Sequence, residues 1–290
     1  MNKFITLSVV TVLLAGCESR ATDDTAGGTP TTGGTGTPAS GTILLGDLKA
    51  ADLNTATDEL TVQITLDDDD TQQSYGTGAA FGNFTRYTLQ NDPVTGRFFT
   101  AFSGVSDDES VQAVVVMDGG QFNRFFGGAT ATQNSYVAPT GGISNYAGDY
   151  VGLANIGTPV IGGGVPGSES SVPNIATLVT GEVFLQADFT DSAVNGAIYN
   201  RFFGFGPGAV AMPELVLVVG DIGADGGFGG DIELLTQDGV GSYSGVFGGT
   251  NAASVAGVVE LTGGFLPGGI LADGNEREFG IFILDQQVAP

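Results

Sequence analysis

From Gly241 to Gly264 the chain reads GSYSGVFGGTNAASVAGVVELTGG, and near its C-terminal end it answers with EFGIFIL, Glu278 to Leu284. Tyr243 and Phe247 fall on one side across a glycine, and Val255, Val259 and Leu261 do the same in the next segment. Alternation with a period of two marks a half-buried strand. The stretch therefore predicts two antiparallel strands with a short connection, followed by a last strand that closes a sheet. Forty-nine of the 290 residues are glycine, yet Val, Ile, Leu and Phe are plentiful and alternate with polar residues. That combination argues for many short strands joined by glycine-rich turns, and against a disordered chain.

The charge narrows the partners. Thirty-two acidic side chains face eight basic ones, a net charge of −24. Such a chain repels phosphate backbones, and no basic patch with interleaved aromatics offers itself to nucleic acid. There is no histidine, which removes the usual general base near neutral pH and most transition-metal sites. No catalytic residue, metal ligand or cofactor is expected. The single cysteine cannot form an internal disulfide.

That cysteine is Cys17. Met1 to Cys17, MNKFITLSVVTVLLAGC, has a short positive region at Lys3 and then an apolar run ending in small residues. It reads as a secretory signal, too short to span a bilayer as a helix. Leu14-Ala15-Gly16-Cys17 resembles the lipobox of bacterial lipoproteins, which implies that Cys17 becomes the acylated, palmitate-bearing first residue of the mature chain. Glu18 follows it, and outer-membrane attachment is the expectation. Residues 18–41 are Thr, Gly, Pro and Asp with almost nothing to bury, a flexible tether. By random-coil scaling it would hold the folded part about 25–30 Å from the membrane.

Residues 42–135 read as a first β-rich region. Leu60, Val62, Ile64 and Leu66 alternate with polar residues over Asp58–Leu66, and the run Asp67–Asp70 ends that strand as a solvated turn. A calcium loop would need ligands spaced to wrap one ion. Further strands are expected at Phe84–Gln90, Arg97–Gly104, Val111–Met117 and Gln121–Gly127, with a turn at Asn91–Gly96 and room for one helical turn at Lys49–Asn54.

Residues 136–290 hold eight strand candidates: Asn145–Asn155, Ala176–Phe189, Ala193–Phe202, Leu215–Asp221, Phe228–Leu235, Gly241–Gly248, Ser254–Thr262 and Phe279–Leu284. Eight such strands can close into a barrel whose interior is just filled by side chains, leaving no exposed edge. Glycines 196, 230, 245 and 257 sit inside strand patterns, where tight curvature is expected. Outward faces carry Asp and Glu where a membrane-spanning barrel would meet lipid.

The run G-x-Y-x-G-x-F-x-G, then V-x-G-V-x-E, then E-x-G-x-F, together with ADFTDSAVNGAIYN (Ala187–Asn200), resembles the C-terminal β-barrel of the transferrin-binding protein B family of bacterial surface lipoproteins. The resemblance implies an all-β chain: a smaller handle-like domain at 42–135 and an eight-stranded antiparallel β-barrel at 136–290. Members of the family are lipid-anchored, non-enzymatic binding proteins for host iron proteins, haem carriers or complement regulators. Transferrin-binding protein B itself has two handle-plus-barrel units where this chain has room for one.

Recognition in such a scaffold is carried by loops. GRFF (Gly96–Phe99), NRFFGG (Asn123–Gly128) and NRFFGF (Asn200–Phe205) echo one another. In one reading their arginines pack beside core phenylalanines at strand ends. In the other, Arg201, Phe202, Phe203 and Phe205 form a loop-borne patch for an extracellular protein or a haem or iron carrier, since aromatic and Arg residues favour interface centres. Tyr136, Tyr146, Tyr150 and Tyr243 are phenols that in principle ligate haem iron, though core packing suits them better. Glu276 and Glu278 form one of many near carboxylate pairs, the raw material of glycoside hydrolysis. GGFGGD (Gly226–Asp231) is a lone copy of a calcium repeat that works only in tandem. The competing view of the whole chain is a structural acidic envelope lipoprotein, calcium-stabilised, with no discrete ligand.

Overall fold

The structure is a computed structural model that describes residues 41–90, 96–122, 124–159, 173–204, 206–266 and 276–287. The signal segment, Cys17 and the tether up to residue 40 lie outside the described residues, as does Phe205. In the described residues of 42–133 the strands are β1 (Thr42–Gly46), β2 (Leu48–Asn54), β3 (Glu59–Leu66), β4 (Asp69–Tyr75), β5 (Ala79–Phe81), β6 (Phe84–Gln90), β7 (Phe98–Val105), β8 (Val111–Asp118) and β9 (Gly127–Gln133). They are followed by β10 (Tyr136–Val137), β11 (Ile143–Pro159), β12 (Asn174–Asp188), β13 (Ala193–Phe203), β14 (Val210–Ala211), β15 (Leu215–Asp221), β16 (Gly227–Leu234), β17 (Gly239–Thr250), β18 (Ser254–Thr262) and β19 (Arg277–Gln286).

The later strands close on themselves. The path runs β17-β16-β15-β13-β12-β11-β19-β18, and β18 pairs back onto β17 from Gly241↔Leu261 to Gly248↔Ser254. All neighbours in this eight-stranded barrel are antiparallel. Each expected barrel strand is present, several of them longer than the alternation alone indicated.

The barrel is solid. Tyr146, Tyr150, Phe228, Tyr243, Phe247 and Phe282 fill it, packed with Val183, Leu185, Ile198, Leu217, Ile232, Val255 and Val259. Inward-facing glycines make room for these rings. A Cβ on Gly257 would stand 2.0 Å from the Phe282 ring, and one on Gly280 would stand 2.0 Å from the Tyr150 hydroxyl. Curvature and interior volume are thus solved together: a ring on one strand lies across a glycine on its neighbour.

The outside of β11, β12, β17, β18 and β19 is covered. Val151, Leu153, Val246, Val258, Phe279 and Ile281 point away from the barrel interior and pack on Phe102, Val111, Ala113, Val115 and Met117. Those residues belong to a six-stranded sheet ordered β1-β9-β8-β7-β6-β5. Its other face, with Phe99, Val114, Val116 and Phe126, packs on Leu60, Val62 and Ile64 of a three-stranded sheet, β2-β3-β4. The run VVVM (Val114–Met117) is therefore buried on both faces, which is why it reads as continuous apolar sequence without alternation.

Several local expectations change. Lys49–Asn54 does not form a helical turn; it lies in β2, paired with β3 from Ala50↔Gln63 to Asn54↔Glu59. Of the run Asp67–Asp70, Asp67 and Asp68 take left-handed backbone (φ 51° and 74°) as a two-residue hairpin turn, while Asp69 and Asp70 already pair with Leu66 and Thr65. The strand expected at Gln121–Gly127 instead runs Gly127–Gln133, a row of small residues whose close packing hid it from a hydrophobicity reading.

The two ends of the barrel differ. At one, tight connections join Asp188 to Ala193, Asp221 to Gly227 and Thr250 to Ser254. Gly41, the first described residue, lies at this end, its carbonyl accepting from the Gln133 amide, while Gln133 reaches the Phe247 and Asp225 carbonyls. At the opposite, loop end, the chain leaves β11 at Pro159 and returns at Asn174, leaves β13 at Phe203, turns between Leu234 and Gly239, and leaves β18 at Thr262.

Candidate functional site

Just inside the loop end, the interior contains a buried ion pair. Arg201 and Glu278 both have fully buried side chains. Arg201 Nη2 donates to Oε1 and Oε2 of Glu278 at 2.8 and 2.7 Å, and Nη1 donates to the Pro213 carbonyl at 3.0 Å. The Tyr150 hydroxyl donates to Glu278 Oε1 at 2.6 Å. Burial, reinforced by the Glu278 charge, pushes that phenol well above its ordinary pKa. Tyr150 reaches Glu278 across Gly152, which faces Gly280; a Cβ on Gly152 would sit 2.9 Å from both Glu278 Oε1 and the Tyr150 hydroxyl.

A bulge puts Arg201 there. Along β13, Val194 and Ile198 point inward, and strict alternation would next send residue 200 inward. Instead Asn200 takes a left-handed φ of 48°, and the register slips from Glu182↔Tyr199 to Thr180↔Phe202. The extra residue flips the phase. Arg201 turns into the core, Phe202 turns out at 44% exposure, and Phe203 packs against the barrel core.

Of the three described residues of the expected patch, Arg201, Phe202 and Phe203, only Phe202 is displayed. Arg201 is corrected from a surface contact to an interior counter-ion, because the bulge carries it out of the surface phase. The same pairing takes Glu278 out of any carboxylate dyad. Three of the phenols considered for iron are likewise engaged in the barrel. The Tyr146 hydroxyl donates to the Ala252 carbonyl at 2.7 Å and Tyr243 to the Val218 carbonyl at 2.5 Å, while Tyr150 holds Glu278.

The second arginine-and-phenylalanine echo builds something different. Arg97 Nη1 pairs with Asp118 Oδ2 at 2.5 Å and donates to the Arg124 carbonyl at 3.1 Å, while Nη2 donates to the Gln121 carbonyl at 3.3 Å. Its guanidinium lies 4.5 Å over the Phe126 ring, and that of Arg124 lies 5.9 Å from it. Asp118 Oδ1 accepts the Phe126 amide at 2.7 Å. Gln121 and Arg124 exchange backbone hydrogen bonds at 2.8 and 3.1 Å, closing a tight turn. At its tip Phe122 is 57% exposed in left-handed backbone, φ 53°. A bulky side chain there is uncommon and strained.

This turn stands at the loop end, since Gly119 donates to the Asn174 carbonyl and Asn174 donates to that of Gly120, at the start of β12. Val210 (42% exposed) and Leu235 (70%) are displayed at the same end. The carboxylates of Asp67, Asp68, Glu214 and Asp238 are exposed as well. Arg124 beside them is paired with Asp67. Sequence reading missed Phe122; the available signal was its place beside an NRFF echo in a turn without alternation.

No protein-family model matches the chain, and no curated protein matches it. Among solved structures the chain is similar to a double mutant of the vaccine antigen transferrin-binding protein B from Haemophilus parasuis Hp5, with 11% identity and a TM-score of 0.45 over 80% of this chain and 52% of that one. It is also similar to isotype 1 transferrin-binding protein B from serogroup B Neisseria meningitidis, with 15% identity and a TM-score of 0.43 over 86% of this chain and 44% of that one. The chain thus spans about half the length of those proteins.

Proposed function

We propose that this chain is a lipid-anchored, non-enzymatic surface lipoprotein of the outer membrane that binds a protein through the loop end of its barrel and the adjoining turn of the six-stranded sheet. The observation that carries this reading is the display of Phe122 and Phe202, two exposed aromatics at one end of the described barrel and sheet. Aromatic anchors cost little entropy to immobilise and dominate interface energetics. Among the described residues the barrel interior is filled by side chains, which favours recognition on the outside.

Acylation of Cys17 would tie the chain to the membrane. Gly41, the first described residue, lies at the tight-turn end, opposite the loop end proposed to bind. The net charge of −24 favours a partner whose apolar pocket has a basic rim, drawn in by steering that salt screens. A haem- or iron-carrying protein is one class that such a surface could take. The test is quantitative binding of extracellular proteins to the whole chain and to its Phe122→Ala and Phe202→Ala variants. A saturable partner lost in both supports the reading; binding that neither change touches overturns it. A calcium-dependent melting temperature with no partner would favour the structural envelope role.

A further inference from the structure

Where the chain passes from the three-stranded sheet to the six-stranded one, the connection Gly76–Ala79 runs beside β6. Together with Arg86, Tyr87 and Thr88 it borders a groove of about 470 Å³. That volume falls in the range of small-ligand sites, about 300–1,000 Å³. Gly78 lets the wall lie close on β6: a Cβ there would stand 2.2 Å from Thr85 Cγ2 and 2.8 Å from Tyr87 Cε1. The amides of Gly76 and Thr77 lie between the ladder that ends at Tyr75 and the one that begins at Ala79, and they donate to no group among the described residues.

Arg86 sets the chemistry of the groove. Arg97, Arg124, Arg201 and Arg277 each meet a carboxylate. Arg86 is exposed and makes no ion pair or hydrogen bond among the described residues, in a chain whose 32 acidic side chains outnumber its eight basic ones. Its donors are therefore free for an outside anion, and the planar fork of a guanidinium matches a carboxylate in bidentate fashion. Tyr87 offers no further polar contact, because its hydroxyl donates to Asp58 and accepts from Ser103. The polar groups left are the fork, the two free amides and the hydroxyls of Thr77 and Thr88, a set suited to a ligand with several hydroxyls. One cation on a chain of net charge −24 suits a single negative charge, whereas a polyanion would be repelled. We propose that this groove binds a small hydroxylated carboxylate of the acidic-sugar class, with its carboxylate on Arg86 and its hydroxyls on the threonines and free amides.

The inference uses none of the residues of the loop-end reading and goes beyond it. The test uses the whole chain and takes glucuronate as the probe, with glucose and inorganic phosphate as comparisons. Binding is followed by calorimetry and by the amide resonances of Gly76 and Thr77. The expected result is saturable glucuronate binding that moves both resonances, with glucose, which lacks the charge, at least about tenfold weaker. Arg86→Gln is expected to weaken glucuronate binding at least about tenfold, and Arg86→Lys, which keeps the charge and loses the fork, by a smaller factor. The side chain is exposed, so both variants are expected to keep the natural melting temperature. Three results would overturn the assignment: no saturable glucuronate binding, equal binding by Arg86→Gln, or phosphate held as tightly as glucuronate, which would mark an unselective anion contact.

Discussion

Two arginines preceding paired phenylalanines meet opposite fates. Arg201 is drawn wholly inside the barrel against Glu278 and Tyr150, on strands fixed by neighbours on both sides. Arg97 stays at the rim of the six-stranded sheet, partly exposed, against a buried Asp118, and its donors hold a turn instead of a core. One motif thus serves once as an interior strut and once as the base of a displayed aromatic. The deciding difference is backbone context. A bulge at Asn200 turns Arg201 inward, whereas Arg97 precedes β7 and lies over the Phe126 ring.

If Arg201 is a strut, removing its partner should hurt most. Glu278→Ala leaves a buried charge unpaired and is expected to cost about 3–5 kcal/mol in denaturant unfolding. Replacing both members with apolar residues of similar volume should recover most of that, since the pair's net contribution is small once desolvation is included. Next comes Gly280→Ala, whose Cβ would collide with the Tyr150 hydroxyl; a loss of about 1–3 kcal/mol is expected, read as a lower melting temperature.

The rim arginine predicts a gentler, pH-dependent cost. Asp118→Asn is expected to destabilise by about 1–2 kcal/mol near neutral pH, through the loss of charge-assisted hydrogen bonds. The gap should widen as the pH drops through about 6, because the natural carboxyl, raised by burial, takes up a proton more readily in the folded chain and Asp118→Asn cannot. Smallest of all is Phe202→Ala, expected to change stability by less than about 0.5 kcal/mol because the ring is displayed outside the barrel. Equal losses from Glu278→Ala and Asp118→Asn would erase the contrast between strut and rim.

The barrel was legible because alternation survives in it: Val255, Val259 and Leu261, or Val183, Leu185 and Ala187, need only a period of two. The sheet sandwiched between two layers was less so. Val114–Met117 is apolar on both faces, and β9 is built of Gly, Ala and Thr, which carry little hydrophobic signal. The site was least legible of all. A single left-handed residue at Asn200 inverted the expected facing of Arg201 and Phe202, and no composition or spacing announces such a phase change. Phe122 was hidden for a related reason, since its turn is held by hydrogen bonds that Arg97 makes from just before β7, more than twenty residues away.

The most direct test of the loop end as a binding surface is the Phe122→Gly substitution. Glycine removes the anchor and accepts the left-handed backbone that phenylalanine adopts under strain, so fold damage cannot explain a loss. The expected result is an unchanged or slightly raised melting temperature together with a loss of at least about tenfold in affinity for a retained partner protein, about 1.4 kcal/mol. A partner held as tightly by Phe122→Gly as by the natural chain would contradict the reading.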